Sequence, residues 1–292
     1  MDRVLRDPRA VLVFLGPALL LYLLVLLIPI VWSIGYTFFE GSPISGFTFV
    51  GLANFVQLAE DGRFWNALWF STKYMLVVTT GQVLLGLFMA LLFHFYLKRA
   101  SSVVRTLVFF PVVLPTVAVA AIFQKLFAIA PQHGLVNAML ELVGVQALPW
   151  LGRGSTAFWV IAIMDIWRAM GFYAVLLYAG LVDIPGDVLE AASLDGATGW
   201  RLVQFVVLPL LLPILISALI FSMNGTVKVF DSIVALTNGG PGMTTTPLTL
   251  YMYRSAFQNN QYGYGSTVAV VLALYCLLVS LLAYRFARRD VA

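Results

Sequence analysis

Long apolar runs, separated by short polar stretches, make up most of the sequence. The runs are continuous and do not alternate with a period of two, which favours helices over the strands of a membrane barrel. A helix needs about 20 apolar residues to cross the hydrocarbon of a bilayer. We therefore predict six transmembrane helices, at about 10–39, 66–97, 103–127, 156–180, 203–230 and 265–286.

The composition agrees with a membrane protein. Hydrophobic residues make up 61% of the 292 residues and charged residues only 10%, whereas a soluble domain has about 25% charged residues. A chain so poor in charge cannot cover its own surface in water. We predict an all-α, multi-pass membrane protein with one transmembrane domain over 1–292. The first run is too long for the core of a cleaved signal and no clear small-residue cleavage site follows it, so we interpret it as a true span.

The positions of the basic residues predict the orientation, because Lys and Arg are enriched in cytoplasmic loops. Three of them lie in or at the edge of predicted spans, namely Lys73, Lys125 and Arg168. Four lie on the side opposite the N terminus, namely Arg63, Arg153, Lys228 and Arg254. Ten lie on the same side as the N terminus, namely Arg3, Arg6, Arg9, Lys98, Arg99, Arg105, Arg201, Arg285, Arg288 and Arg289. We therefore expect both termini, and the loop around residue 190, to be cytoplasmic.

That loop, at about 185–205, is unusual because it is polar and broken by glycine. Pro185 ends the fourth span. Asp187, with Glu190 three residues later, is typical of a capping box that opens a short helix, and Gly196 is typical of the glycine that ends one. A second helix then runs from near Ala197 towards the membrane. From these residues alone, the two short helices are either an ordinary connector at the membrane surface or a docking site for another protein.

The stretch EAASLDGATGWRLVQFVVLP at 190–209 resembles the EAA loop of the permeases of ATP-binding-cassette (ABC) importers. The family pattern is E-A-A, three residues, G, nine residues, I, one residue and L-P, and the chain departs from it only at Val206, where the family has Ile. In that family the loop docks into a groove on the ATPase subunit, where its Glu meets a basic residue. The resemblance therefore implies that the ATPase-coupling residues are Glu190, Ala191, Ala192, Asp195 and Gly196.

The resemblance covers most of the chain. The stretches FVGLANFVQL at 49–58, FFPVVLP at 109–115 and TNGGP at 237–241, the last followed by threonines and YRSAF, are similar to the sugar-type ABC permeases. These are the permeases of the maltose and glycerol-3-phosphate importer type. The resemblance implies the ABC type I importer fold, with six spans and cytoplasmic coupling helices, in the cytoplasmic (inner) membrane of a bacterium or archaeon.

The same resemblance implies a set of partners: two ABC ATPase subunits, a second related permease, an extracytoplasmic solute-binding protein, a sugar substrate and membrane lipid. The sequence has no G-x-x-x-x-G-K-[ST] stretch, the loop that cradles phosphates. We therefore expect a transport subunit that is not an enzyme and binds no cofactor, while ATP and Mg are used by the ATPase subunits. The net charge of +4 is explained by where the basic residues lie along the chain and does not indicate nucleic-acid binding.

Polar residues within spans are costly and mark candidate positions on a substrate path. Asp165 and Arg168 stand three apart on one helix face, and Phe172, one turn further on, offers a ring for stacking on a sugar. By the resemblance, stretches of the third, fourth and fifth spans match the family's substrate contacts. The candidates are Thr116, Asp165, Arg168, Phe172, Ser222, Asn224, Thr226 and Lys228. A structural alternative stays open, in which Asp165 and Arg168 neutralise each other and the polar residues join helices.

Other interpretations also stay open. Within the importer family the substrate is a sugar or oligosaccharide, or alternatively glycerol-3-phosphate or another polyol. A standalone secondary carrier or channel is an alternative of another class, although it needs an ion-coupling site and usually inverted repeats. An intramembrane enzyme is a weaker alternative, because neither His94 nor His133 has an obvious catalytic or metal-binding companion. Cys276 lies inside an apolar run and is interpreted as a small hydrophobic residue.

Overall fold

A computed structural model of the chain describes residues 8–97, 101–129 and 133–289. The helices and strands in these ranges are α1 (Pro8–Tyr22), α2 (Ile28–Tyr36), β1 (Phe39–Ser42), β2 (Gly46–Phe49), α3 (Ala53–Glu60), α4 (Gly62–Leu91), α5 (Ser101–Val113), α6 (Thr116–Leu126), α7 (Leu135–Leu142), α8 (Gly154–Val182), α9 (Gly186–Leu194), α10 (Trp200–Leu202), α11 (Leu208–Val227), α12 (Asp231–Leu236), α13 (Leu248–Tyr253) and α14 (Tyr262–Arg289). Turns of π-helix extend some of these helices, at Leu23–Leu27, Leu92–Tyr96, Val203–Val207 and Arg254–Gln258.

The described part of the chain contains five helical segments that are long and apolar enough to cross a membrane, and six when one bent pair is counted as a span. The five are Leu12–Tyr36, Gly62–Tyr96, Gly154–Val182, Trp200–Val227 and Tyr262–Arg285. The predicted helical membrane architecture is therefore confirmed, and the observed segments lie within a few residues of the predicted ones. Four of the basic residues on the predicted cytoplasmic side lie outside the described residues, namely Arg3, Arg6, Lys98 and Arg99.

The third predicted span is broken in the structure. The two helices on either side of Leu114 and Pro115 meet at an angle of 96°. The predicted third span at 103–127 is therefore a bent pair of helices rather than one straight helix. The proline explains the break, because its ring disfavours helical conformation at the preceding Leu114. Pro115 itself takes an extended backbone with ψ of 129° and has no N–H to continue the helix. The break makes Thr116 the first residue of α6.

The chain forms two compact units, one running up to Phe64 with Tyr251–Ala273, the other comprising Trp65–Leu250 with the chain from Leu274 onward. The larger unit has an aromatic and aliphatic core between α4 and α8. In this core the ring of Phe158 lies edge-on to the rings of Phe70 and Tyr74, with ring centroids 5.8 and 6.2 Å apart. These rings are buried, and their packing fixes α4 against α8.

Glycine residues let the helices of the larger unit approach closely. A Cβ atom at Gly171 on α8 would lie only 2.9 Å from the Cα of Phe109 on α5. A Cβ at Gly86 on α4 would lie 2.7 Å from the Cβ of Tyr173 and 3.0 Å from the backbone N of Ala174. Real Cβ atoms do not come so near. Helix α8 therefore packs directly on the backbone of α5 and against Gly86 of α4, as small residues allow in membrane helices.

The smaller unit contains the segment that follows the first span. Its strands β1 and β2 pair as an antiparallel hairpin. The buried amide of Asn54 on α3 donates to the carbonyl oxygens of Thr37, at 2.8 Å, and Phe39, at 3.0 Å, so α3 holds the entry to the hairpin. The hairpin was not predicted, because strands of four residues are too short to display a clear alternating pattern.

Asp61, between α3 and α4, joins three parts of the smaller unit. Its carboxylate accepts hydrogen bonds from the hydroxyls of Tyr251 and Tyr264, the latter at 2.5 Å, and from the N–H of Arg63 at 2.9 Å. Partial burial acts to raise the pKa of Asp61, but the two hydroxyls and the N–H groups of Arg63 and Phe64 outweigh it and hold that pKa below its ordinary 3.8. The ionised carboxylate therefore fastens the start of α4 to α13 and α14.

We expect the smaller unit to lose stability in acid through Asp61. A carboxylate with a depressed folded pKa stabilises the protein above its unfolded pKa, and this contribution is lost as the pH falls through the folded pKa. The contribution is therefore complete at neutral pH and declines below the ordinary value of 3.8. Asp61→Asn should lower the free energy of unfolding by about 1 kcal/mol at pH 7 and by less at pH 3. Thermal denaturation of the purified protein between pH 7 and 3, followed by tryptophan fluorescence, measures both.

The matched control is Glu60→Gln, which removes the charge of the adjacent, exposed carboxylate. This variant should follow the wild-type pH profile. If Asp61→Asn also follows the wild-type profile at both ends of the pH range, the ionised carboxylate does not fasten this unit.

Candidate functional site

A polar cavity of about 240 Å³ lies within the larger unit. Residues of α4, α6, α8, α11 and α12 and of the short loop before α12 line it. Its charged and polar lining includes Gln82, Thr116, Asp165, Arg168, Ser222, Thr226, Lys228, Asp231 and Ser232. Because these helices are apolar elsewhere, such a concentration of polar groups marks the cavity as the candidate site.

Asp165 on α8 is the most strongly held residue of the cavity. One carboxylate oxygen accepts a hydrogen bond from the hydroxyl of Tyr74 at 2.5 Å, and the other accepts one from the hydroxyl of Ser232 at 2.7 Å. Tyr74 is fully buried and Asp165 is 5% exposed. Both carboxylate oxygens are therefore occupied by protein groups, and Asp165 ties α4 and α12 to α8.

A chain of hydrogen bonds continues from Asp165 across the helices. The amide of Gln82 donates to the backbone carbonyl of Asp165 at 3.1 Å, and its oxygen accepts from the hydroxyl of Ser222 at 2.7 Å. The Ser222 hydroxyl also lies 3.1 Å from that of Thr79, which in turn lies 3.1 Å from that of Thr226. The chain joins α4, α8 and α11, so most hydroxyls on this wall are engaged within the protein.

Arg168 is different because its hydrogen-bonding capacity is not used up. Its Nε lies 3.6 Å from a carboxylate oxygen of Asp165, which is close enough for an ion pair but too far for a hydrogen bond. That Nε is buried and has no hydrogen-bond partner among the residues that the structure describes. A guanidinium group carries five N–H donors and no acceptor, so Arg168 offers donors to a molecule in the cavity.

The predicted substrate residues divide into two groups. The cavity brings together Thr116, Asp165, Arg168, Ser222, Thr226 and Lys228. Asn224 does not line it, since its amide donates to the carbonyl of Ile220 at 2.9 Å and to the hydroxyl of Ser280 at 3.2 Å, which ties α11 to α14. Phe172 does not line it either, and its half-exposed ring lies edge-on to the ring of Tyr173 with centroids 5.2 Å apart.

Several residues of the cavity wall were missed from the sequence. Tyr74, which supports the wall through its bond to Asp165, was not selected from the sequence. Ser232 and Asp231 lie beyond the end of the predicted fifth span. Thr79 and Gln82 did carry a signal, because two polar residues three apart in an apolar span share one helix face. The sequence could have placed those two in the site, but the contact between Tyr74 and Asp165 joins residues 91 positions apart.

The glycine-broken loop forms an elbow between α8 and α10. Gly196 has φ of +87° and follows the C-cap Asp195. The N–H of Gly196 bonds to the carbonyl of Ser193 at 3.1 Å, and that of Ala197 to the carbonyl of Ala192 at 2.9 Å. This is the Schellman arrangement that glycine favours, so the predicted C-terminal glycine is confirmed.

The start of the elbow differs from the prediction. Pro185 occupies the N-cap of α9 without a side-chain hydrogen bond, and Asp187 lies inside the first turn. The predicted capping box of Asp187 and Glu190 is therefore wrong. Proline explains the shift, because its fixed φ is pre-organised for the start of a helix. The second helix likewise begins at Trp200, after Gly199 with φ of +56°, and not near Ala197.

The elbow presents one face outward. Leu189 packs against the apolar cluster formed by the neighbouring spans, whereas Glu190, Ala191 and Asp195 are exposed. Leu194, which was not among the predicted coupling residues, is 90% exposed. Residues 187, 190, 191 and 194 share one helix face. Glu190 and Leu194 therefore lie on the same exposed face of α9, where both are available to a partner.

The structure holds no cluster suited to a metal ion in the part of the chain that it describes. No group of three or more His, Cys, Asp or Glu side chains in these ranges converges on one point. His133 lies 2.7 Å from Glu141. Cys276 is a free thiol on α14.

Comparison with known proteins gives a family and a fold. A family model described as "Binding-protein-dependent transport system inner membrane component" matches residues 82–289. The chain is 36% identical over 245 residues to the trehalose/maltose transport system permease protein MalF of Thermococcus litoralis, covering 83% of this chain and 81% of that protein. It is 31% identical over 279 residues to the multiple sugar-binding transport system permease protein MsmF of Streptococcus mutans, covering 94% of each.

One solved structure shows the same architecture. It is a bacterial alginate ABC transporter in complex with its alginate pentasaccharide-bound periplasmic protein, and one of its chains superimposes with a TM-score of 0.82. That match covers 95% of this chain and 93% of the other, at 23% identity, so it concerns the fold alone. The predicted fold of an ABC type I importer permease is therefore confirmed.

The family decides between the classes of function left open by the sequence. A component of a binding-protein-dependent system acts together with a solute-binding protein, which contradicts the alternative of a standalone secondary carrier or channel. The matched residues include the broken third span, the cavity and the elbow. By its sequence and its fold, the chain belongs to the family of inner-membrane permease components of binding-protein-dependent transport systems.

Proposed function

We propose that this chain is the permease subunit of an ABC importer that carries a sugar or oligosaccharide across the cytoplasmic membrane of a bacterium or archaeon. The polar cavity beside Asp165 and Arg168 is the observation that carries the proposal, because a sugar needs convergent hydrogen-bonding groups beside an apolar surface. The relatives named for trehalose, maltose and multiple sugars support a sugar over glycerol-3-phosphate or another polyol.

In the proposed mechanism two ABC ATPase subunits bind ATP and Mg and close on each other. A solute-binding protein delivers the sugar on the opposite side of the membrane, and a second permease completes the path. The cavity then opens alternately to the two sides by rigid-body movement of the spans. We propose that both termini and the elbow are cytoplasmic, as the distribution of basic residues indicates.

Each group of residues has a proposed role. Arg168, Lys228 and Thr116 offer hydrogen bonds to sugar oxygens. Asp165, Ser222 and Thr226 hold the wall, and Asn224 and Phe172 support it from outside the cavity. Glu190, Ala191, Ala192, Asp195 and Gly196 form the elbow surface that receives the ATPase, and the exposed side chain of Leu194 supports this role.

Affinity purification of the tagged full-length chain from its native membrane tests the proposal. We expect a complex with an ABC ATPase and a second permease. After reconstitution in vesicles, ATP hydrolysis should rise at least several-fold when a sugar-loaded solute-binding protein is added. Purification of the chain alone, together with sugar uptake driven by an ion gradient without ATP, would overturn the proposal.

A further inference from the structure

The charges that line the cavity cancel. Among the described residues, four side chains with a formal charge line it, namely Asp165, Arg168, Lys228 and Asp231. Two of these formal charges are negative and two are positive, so this part of the wall has no net formal charge. The way these four charges are arranged determines what a ligand encounters.

The inner pair is neutral as a unit. Asp165 directs both oxygens to Tyr74 and Ser232 and keeps its charge 3.6 Å from the Nε of Arg168. The positive charge of Arg168 is therefore compensated by a neighbour that the fold holds in place. Its free N–H donors still face the cavity, so Arg168 acts towards a ligand mainly as a hydrogen-bond donor.

The outer pair is also balanced. Lys228 is the C-cap of α11, and Asp231 opens α12 three residues later. Each charge is opposite to the partial charge of its own helix end, which stabilises it there. Both side chains are exposed, and among the described residues neither forms an ion pair. A ligand beside this pair meets one cation and one anion.

We infer that the molecule carried through this cavity is an uncharged, hydroxyl-rich carbohydrate, and not a phosphorylated or acidic one; the inference rests on the proposed function. A phosphate or carboxylate group would lose its hydration and face two fixed anions together with two cations, of which Arg168 is already compensated by Asp165. A neutral hydroxyl accepts from Arg168 and Lys228 and donates to Asp231. The rings of Tyr173 and Phe230, which also line the cavity, offer the apolar surface that a sugar face covers.

Two substitutions of opposite sign test the charge of the ligand. Lys228→Gln and Asp231→Asn are made in the assembled transporter, and the KM for binding-protein-dependent uptake is measured for a neutral disaccharide, a hexose phosphate and a disaccharide containing a uronic acid. For a neutral ligand, each of the two substitutions should either raise KM or leave it unchanged. For an acidic ligand they should shift KM in opposite directions, by about fivefold each, and less at high salt.

Arg153→Gln and Glu40→Gln are matched controls, since they remove one exposed charge of each sign outside the cavity. The inference is supported if the neutral disaccharide is taken up and the two substitutions do not shift its KM in opposite directions. The hexose phosphate and the disaccharide with a uronic acid should then not be taken up. Uptake of an acidic sugar with opposed shifts overturns it while the proposed function stands. If the complex imports neither kind of carbohydrate, the inference and the proposed function both fall.

Discussion

Replacing Glu190 with lysine is expected to abolish coupled import while the chain itself still folds. Glu190 is exposed on α9, so its replacement breaks no contact within the chain. In the proposed complex the same carboxylate meets a basic residue of the ATPase, and a reversed charge there places two cations together. Loss of a paired interface charge costs about 2–5 kcal/mol, which corresponds to at least about thirtyfold weaker ATPase binding.

The measurement has three parts: co-purification of the ATPase with the tagged permease, stimulated ATP hydrolysis and uptake in vesicles. We expect all three to fall for Glu190→Lys, and to fall less for Glu190→Gln, which keeps the shape of the side chain. Glu40→Lys, an exposed charge reversal on the hairpin, should leave co-purification unchanged. Normal stimulation and uptake by Glu190→Lys would show that the elbow does not couple the ATPase through this residue.

A second substitution, on the same face of α9, tests whether the ATPase also makes apolar contacts there, in addition to the charge contact of Glu190. Leu194 is 90% exposed and lies one helical turn beyond Glu190. An apolar side chain buried on docking contributes about 1.5–3 kcal/mol. Leu194→Ser should therefore weaken co-purification while the purified chain keeps its melting temperature, because the folded chain alone loses no buried contact.

The spans and the elbow were largely predictable from the sequence, for different reasons. The spans follow from the length of the apolar runs, since the bilayer imposes a fixed minimum length. The elbow follows from a spacing, because the glycine must stand a fixed distance after the EAA residues to end α9. The start of that helix was not predictable in detail, since Pro185 and Asp187 both suit a helix N-terminus and the proline took the N-cap.

The break in the third span and the wall of the cavity were harder to predict from the sequence. Pro115 was present in the sequence, but Pro111 sits within α5 without ending it, so the residue type alone did not locate the break. The contacts of Asp165 with Tyr74 and Ser232 join three separate helices. Such pairings depend on how helices pack, and a single sequence records only the residues that each helix offers.

Removing the carboxylate of Asp165 is expected to have the largest effect on folding. Asp165→Ala leaves the buried hydroxyls of Tyr74 and Ser232 without their acceptor and leaves Arg168 without its compensating charge. Breaking a buried ion pair by deleting one partner costs about 3–5 kcal/mol. We therefore expect little folded protein from Asp165→Ala, measured as the monodisperse fraction in size-exclusion chromatography and as the melting temperature in detergent.

Asp165→Asn should be less severe, because its amide oxygen still accepts one of the two hydrogen bonds, at a cost of about 1–3 kcal/mol. Part of that loss comes from the unbalanced Arg168, so the double variant Asp165→Asn/Arg168→Gln should be more stable than the sum of the single changes predicts. Asp231→Asn is the control for stability, since that exposed carboxylate forms no ion pair among the described residues and its loss at a helix end costs at most about 1 kcal/mol. Strict additivity of the double variant would show that Arg168 and Asp165 are not coupled, and the inner pair would then not be the electrically neutral unit on which the cavity is built.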